Sequence, residues 1–327
     1  MKKIFWILVL QAGILIPAFG QFTTPDKITV NNLKGKILLV ETQEEVTRTL
    51  MDLRPRPEAL QAYKDGVANF NQIIKDAVEK YYQWGKKGIE YMPALQVDKL
   101  VKEGKAGKYV ILHFTVAGSY VNPADIGPIY GGKYTDSVRA LSRSKGYGIF
   151  IIQLPGGNDK KMTDVYSVGL PVAYPSAADM VYAIQMIHNV FTDLTKLKDY
   201  EVKDFHNDIE KNNRKLKKKT LLIENGQVTA KTTLADLKKD YDYPMQIVNY
   251  EKIQDAILQN DSSFAYVQVV PIKTSASSSG NLKLALRHLV IDAKDGRVIG
   301  TAKPTRMNYD KIASDITKKE VKDYIQE

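Results

Sequence analysis

The sequence predicts an α/β, or α+β, protein of two weakly repeated halves, each a mixed β-sheet with helices packed on it. Three observations carry this. Short apolar β-type runs recur at matching places, each half contains one hairpin signature, and two long segments repeat their apolar residues every three or four positions. The order expected in each half is β-α-β-α-β-β-β-α.

The first half, 34–200, opens on Lys36-Ile-Leu-Leu-Val40-Glu41, and the second, 219–327, on Lys219-Thr-Leu-Leu-Ile223-Glu224. In the first half a long helix is expected over 60–84. Its apolar positions Leu60, Tyr63, Val67, Phe70, Ile74, Ala77, Tyr81 and Trp84 form a narrow stripe. Gly88–Leu95 then leads into a helix-like Val97–Glu103, as Tyr243–Val248 leads into Tyr250–Leu258. A strong strand follows in each, Lys108–Val116 and Phe264–Val270. The hairpins come next. Tyr147–Leu154 turns through Pro155–Asp159 into Thr163–Leu170, and Leu284–Asp292 turns through Lys294-Asp295-Gly296 into Arg297–Thr301. Hairpins force antiparallel pairs while β-α-β steps favour parallel ones, so each sheet should be mixed. A capping box, Ser176-x-x-Asp179, opens a second striped helix with Ala177, Met180, Ile184, Ile187, Phe191 and Leu194 on one face. The two stripes are expected to pack on each other or on the first sheet.

Ahead of this body, residues 1–20 have the form of a cleavable secretory signal peptide. Lys2 and Lys3 precede an apolar stretch from Ile4 to Ile16, Pro17 ends it, and Ala18-Phe19-Gly20 supplies small residues before Gln21. The run is too short for a membrane span, and no other segment approaches one. Residues 21–33 read as an N-terminal extension. An exported product, periplasmic or extracellular, is therefore expected. The chain has no cysteine, which excludes disulfides, thiolate catalysis, zinc–thiolate sites and lipid attachment at a cysteine.

Lys and Arg number 47 against 37 Asp and Glu, an excess that falls to eight once Lys2 and Lys3 leave with the leader. The densest basic run is Lys211–Lys219, in a helical or linker segment at 201–218 joining the halves. Its Arg214, Lys215, Lys217, Lys218 and Lys219 are candidates for contact with an anionic surface. The run lacks interleaved aromatic residues, and export argues against nucleic acid as the partner.

No catalytic or metal motif emerges, and no cofactor is implied. The four histidines are scattered, and Asp204-x-His206-x-Asp208 would not share a helical face. Ser142-Arg-Ser-Lys145 lacks the companion motifs of a serine acyl-transfer enzyme. Asp292 and Asp295 belong to a turn, where aspartate is favoured for backbone reasons. One segment stands out, a loop insertion at 117–146 with Tyr120, Tyr130 and Tyr134 beside Gly131 and Gly132, then Arg139 and Arg143. Aromatic faces near cations suit a sugar, an acidic polymer or a partner's chain, so Tyr120, Tyr130, Tyr134, Arg139 and Arg143 are the candidate binding residues.

The function expected is non-enzymatic: an exported binding or scaffolding protein of the bacterial envelope, with an envelope protein, glycan or anionic polymer as partner. Two alternatives stay open. One is an envelope-polymer or peptide hydrolase whose site is assembled only in three dimensions; the other is a structural subunit of a larger assembly, oligomeric through strand edges or the stripes.

Overall fold

The computed structural model of the chain describes residues 25, 27–85, 87–118, 134–155, 161–196, 209, 212–228, 232–274, 283–302, 305–306 and 316–325. Residues 1–20, the expected signal peptide, lie outside them. Within the expected N-terminal extension lies α1 (Lys27–Leu33), whose Val30 and Leu33 join the core, and the first half then contains β1 (Ile37–Thr42), α2 (Thr47–Leu53), α3 (Pro57–Tyr81), β2 (Gly88–Pro93) and α4 (Ala94–Lys102). It continues with β3 (Tyr109–Gly118), α5 (Asp136–Ser144), β4 (Gly146–Pro155), β5 (Met162–Gly169) and α6 (Ala177–Lys196). The second half contains β6 (Thr220–Glu224), α7 (Leu234–Lys238), β7 (Met245–Val248), α8 (Tyr250–Leu258) and β8 (Phe264–Thr274). After these come β9 (Lys283–Asp292), β10 (Val298–Thr301), β11 (Thr305–Arg306) and α9 (Lys318–Asp323).

The repeat is exact in topology. Sheet 1 runs β2-β1-β3-β4-β5, and sheet 2 runs β7-β6-β8-β9-β10, with β11 added on β9. In each, the first strand pairs in parallel with the second and third, and the last three are antiparallel. The mixed sheets with helices packed on them are thus present in both halves. At the second hairpin, Gly296 takes a positive φ of 71°, and Asp292 and Asp295 accept backbone N–H groups of the turn.

Two expected boundaries move. The long helix spans 57–81 rather than 60–84. Pro57 supplies a first helical position that needs no N–H donor, and the chain becomes extended at Tyr82, so that Trp84 folds back into the core. The insertion at 117–146 is not a loop throughout. β3 continues to Gly118, and 136–144 is helical, with Thr135 as its N-cap accepting from Val138 N.

Helix α6 organises the whole. Ala178–Ile187 are buried without interruption, the mark of a helix inside a core rather than on its surface. Its capping box forms: Ser176 N donates to Asp179 Oδ2 and Asp179 N to Ser176 Oγ. The predicted apolar stripe faces α3 and sheet 1, where Phe191 meets the rings of Trp84 and Tyr166 at 5.0 and 5.7 Å. The opposite face meets the second half. Asp179 accepts from Gln268 of β8, Gln185 lies against Gly296, Asn189 donates to Asp295 O, and Asp193 pairs with Arg297 at 2.7 Å.

One apolar cluster therefore unites both halves. It joins Leu38, Val40 and Leu112 of sheet 1 to Leu222, Tyr266 and Ile291 of sheet 2 through α3, α6 and α8. On the far side of sheet 1 lies α4, with Val97 and Val101 over Leu39 and Ile111. On the far side of sheet 2 lie α7 and α9, with Leu237, Val321 and Tyr324 over Leu221 and Val267. The layers run α4, sheet 1, the shared helices, sheet 2, then α7 and α9.

Candidate functional site

The chemically richest cluster among the described residues sits where α5 of the first half meets the end of β6 in the second. The N-cap at Thr135 starts α5 so that Arg139, Ser142 and Arg143, at i, i+3 and i+4, share one face. That face turns inward. Arg139 is 1% exposed; its Nε donates to Glu224 Oε2 at 2.9 Å and its Nη1 to Asp179 Oδ2 at 3.0 Å. Arg143 Nη2 donates to the other oxygen of Glu224 at 2.6 Å and its Nη1 to Gly226 O at 3.1 Å. Two guanidinium groups and two carboxylates thus neutralise each other across the junction.

Neutral groups close the cluster. The Arg139 guanidinium lies 3.5 Å from the ring centroid of Tyr250, the first residue of α8. The Tyr250 hydroxyl meets Ser176 Oγ at 2.7 Å, and Ser176 Oγ also donates to Asp179. Tyr134 packs its ring 5.8 Å from that of Tyr250 and donates to Tyr174 O at 2.7 Å. Ser142 Oγ donates to the same carbonyl and accepts from Tyr174 N. Burial opposes the charge of Arg139, but Asp179 and Glu224 more than offset it and hold the guanidinium protonated well beyond its ordinary range. Burial likewise pushes the Tyr134 and Tyr250 hydroxyls up, so both stay neutral.

No family model, curated protein or solved structure matches this chain.

The predicted binding residues divide. Tyr134, Arg139 and Arg143 come together, but as the inner lining of the junction; Arg139 presents no surface to a ligand, because its donors are taken by Asp179 and Glu224. Tyr120 and Tyr130 lie outside the described residues. Of the basic run, Arg214, Lys215, Lys217 and Lys218 are exposed, with Lys217 over the Tyr243 ring at 5.7 Å. Lys219 is the exception. It is buried, pairs with Asp292 at 2.9 Å and donates to Ser262 O, so it anchors the second half rather than facing an anion. The linker role of 201–218 is also too simple, since Ile209 joins the shared core and Leu216 the core of sheet 2.

Sequence reasoning missed Asp179, Glu224, Tyr250 and Gln268. For Asp179 a signal existed. Asp179, Gln185, Asn189 and Asp193 fall on one face of α6, and that face is too sparsely charged for a solvated one. Two of the histidines have neighbours within the fold: His188 accepts from Gln83 N, and His288 meets the Tyr324 hydroxyl at 2.9 Å. Among the described residues no three His, Asp or Glu side chains are placed to hold a metal ion, and no helix is long and apolar enough to cross a membrane. Asp204, His206 and Asp208 lie outside those residues.

Proposed function

We propose that this chain is an exported, non-enzymatic binding or scaffolding protein of the bacterial envelope. The observation that carries the reading is the use made of its buried charge. Arg139, Arg143, Asp179 and Glu224 spend their hydrogen bonds on one another and on the backbone, across the junction of the halves. Lys219 and Asp292 do the same within the second half. Groups with the strongest chemistry are committed to holding two sheets in one fixed relation, which is what a rigid platform requires and a reacting centre does not. The exposed Arg214, Lys215, Lys217 and Lys218 give that platform a cationic edge suited to an anionic polymer, a glycan bearing acidic groups or an acidic protein surface.

The leader supports the address. Mass analysis of the chain recovered from its native cells tests it: a product starting at Gln21 in the envelope or medium is expected, and an intact Met1 terminus in the cytoplasm would sink it. Binding is tested by capture from native envelopes, followed by titration of the purified partner. Alanine at Arg214, Lys215, Lys217 and Lys218 together should weaken that titration at least tenfold and flatten its salt dependence. An unchanged affinity would remove the cationic edge from the reading.

A further inference from the structure

The two halves repeat one lysine and differ in what surrounds it. Lys36 precedes β1 as Lys219 precedes β6. Each donates to a carbonyl in the turn that feeds the third strand of its sheet, Lys36 to Gly107 O and Lys219 to Ser262 O. The registers make these two carbonyls equivalent, since Ile37 pairs with Tyr109 as Thr220 pairs with Phe264. The contact belongs to the fold and is used twice.

In the second half the fold itself neutralises that lysine. Asp292 of β9, opposite Ala265, pairs with Lys219 at 2.9 Å. Level with Lys219 on the flanking strands stand Tyr243 and Ser263, both uncharged. In the first half the place of Asp292 falls to Leu154, one step along the β3–β4 register from Ile111 and Gln153. Level with Lys36 stand Lys87, ahead of β2, and Lys108, ahead of β3. The ladder reaches this level, because Lys87 N donates to Lys36 O. Where the second half sets one neutralised lysine, the first sets three on adjacent strands.

Nothing in the described chain offsets them. Glu103 pairs with Lys105 at 2.7 Å, and Glu90 accepts from the Tyr109 hydroxyl at 2.7 Å. Among the described residues no carboxylate forms an ion pair with Lys36, Lys87 or Lys108, and Lys87 and Lys108 are exposed. Like charges side by side repel, so the fold gains nothing from the added two. Gly88 and Gly107 lie in the same turns. Neither takes a positive φ, and a Cβ at either would meet nothing within 4 Å. Neither backbone conformation nor crowding demands glycine there, and a bare backbone admits close approach from outside the chain.

We infer that the amino ends of β1, β2 and β3 form a binding site for a phosphate- or sulfate-type oxyanion, with Lys36, Lys87 and Lys108 as its cationic donors beside the bare backbone of Gly88 and Gly107. Each ammonium group is a compact charge with three N–H donors, suited to an oxyanion approached from several sides. A group carrying two negative charges offsets the added lysines, as Asp292 offsets Lys219 in the second half. The site uses none of the residues 214–218 and stands apart from the cationic edge proposed above, so either can fail without the other.

Titration calorimetry of the chain beginning at Gln21 with inorganic pyrophosphate tests it. Saturable binding is expected at about 50 mM salt and should weaken about tenfold or more by about 500 mM. Lys87→Ala with Lys108→Ala changes exposed residues, so the variant should fold, as circular dichroism will check, and should bind about tenfold or more weakly. Lys318→Ala with Lys319→Ala removes the same charge from exposed positions of α9 and should change binding less than about twofold. Vesicles of phosphatidylglycerol in phosphatidylcholine separate the two sources of such a group. Retention of the chain that the Lys87 and Lys108 variant loses assigns a lipid headgroup, and pyrophosphate binding without retention assigns a soluble phosphorylated or sulfated ligand. Absence of saturable binding at low salt overturns the proposal, as does equal weakening by the two pairs of substitutions.

Discussion

Replacing Arg139 by Met should cost about 3–5 kcal/mol, the range for breaking a buried ion pair by removing one partner. The side chain is buried, and its loss leaves Asp179 with Gln268 and Ser176 and Glu224 with Arg143 alone. Much of the penalty is the desolvation of carboxylates that stay behind. Against a total stability of about 5–15 kcal/mol, this is a large fraction. A chain starting at Gln21 has Trp84 as its sole tryptophan, packed on Phe191 of α6, so fluorescence reads the first half while circular dichroism reads both. With a urea m-value of about 3 kcal/mol/M, both midpoints should fall together by about 1–1.7 M. They move together because α6 belongs to both cores. Arg143→Ala, whose side chain is partly exposed, should cost only about 1 kcal/mol. A loss under about 1 kcal/mol for Arg139→Met would refute the junction, and so would a displaced dichroism transition with Trp84 unmoved.

Two further predictions use the same measurement. A Cβ at Gly169 would lie 2.7 Å from Pro271 O, where β5 meets β8, and neither backbone can yield easily; Gly169→Ala should destabilise by about 1–3 kcal/mol. His288 is buried on β9 and burial lowers its pKa from 6.5 to about 4, so the folded chain resists a proton that the unfolded chain accepts. That contribution is fully present above pH 6.5 and is lost as pH falls towards 4, about 3 kcal/mol in all. His288→Leu should flatten the fall in stability over that window, and an unchanged pH profile would remove His288 as its cause.

The elements most legible in sequence are those whose signal is local. The opening strands Lys36–Glu41 and Lys219–Glu224, the turn at Gly296 and the capping box at Ser176 each announce themselves within a few residues, and each forms. The stripe on α6 also predicted its packing on α3, because apolar spacing reports the face a helix buries. What stayed hidden depends on partners far along the chain. Arg139 and Arg143 look like surface cations until Glu224, some 80 residues on, is brought against them. Lys219 looks like the end of a basic run until Asp292 faces it. Charge is exposed by default, and only a distant opposite charge makes its burial tolerable.

A polar junction between two halves of like topology solves a problem that an apolar one would leave open. Helix α6 must choose between two sheets of the same strand order, both apolar on the faces it meets. Its stripe of Met180, Ile184, Ile187, Phe191 and Leu194 fits an apolar sheet, and hydrophobic contact does little to distinguish one such sheet from another. Asp179, Gln185, Asn189 and Asp193 do distinguish, because only the second half offers Gln268, Arg297 and the turn at Gly296, with Arg139 completing the set. The ionic cluster then contributes less to stability than to singling out one arrangement. Replacing Arg139 and Glu224 by Met and Asp179 by Asn together should recover at least half the stability lost by Arg139→Met alone, since no buried carboxylate is stranded and Arg143, which loses Glu224, is partly exposed and keeps Gly226 O. The same triple variant should lose uniqueness, seen as broadened amide resonances or as exchanged dimers in which α6 of one copy covers a sheet of another. A triple variant that is both stable and as sharply folded as the parent would show that the apolar surfaces already decide the pairing.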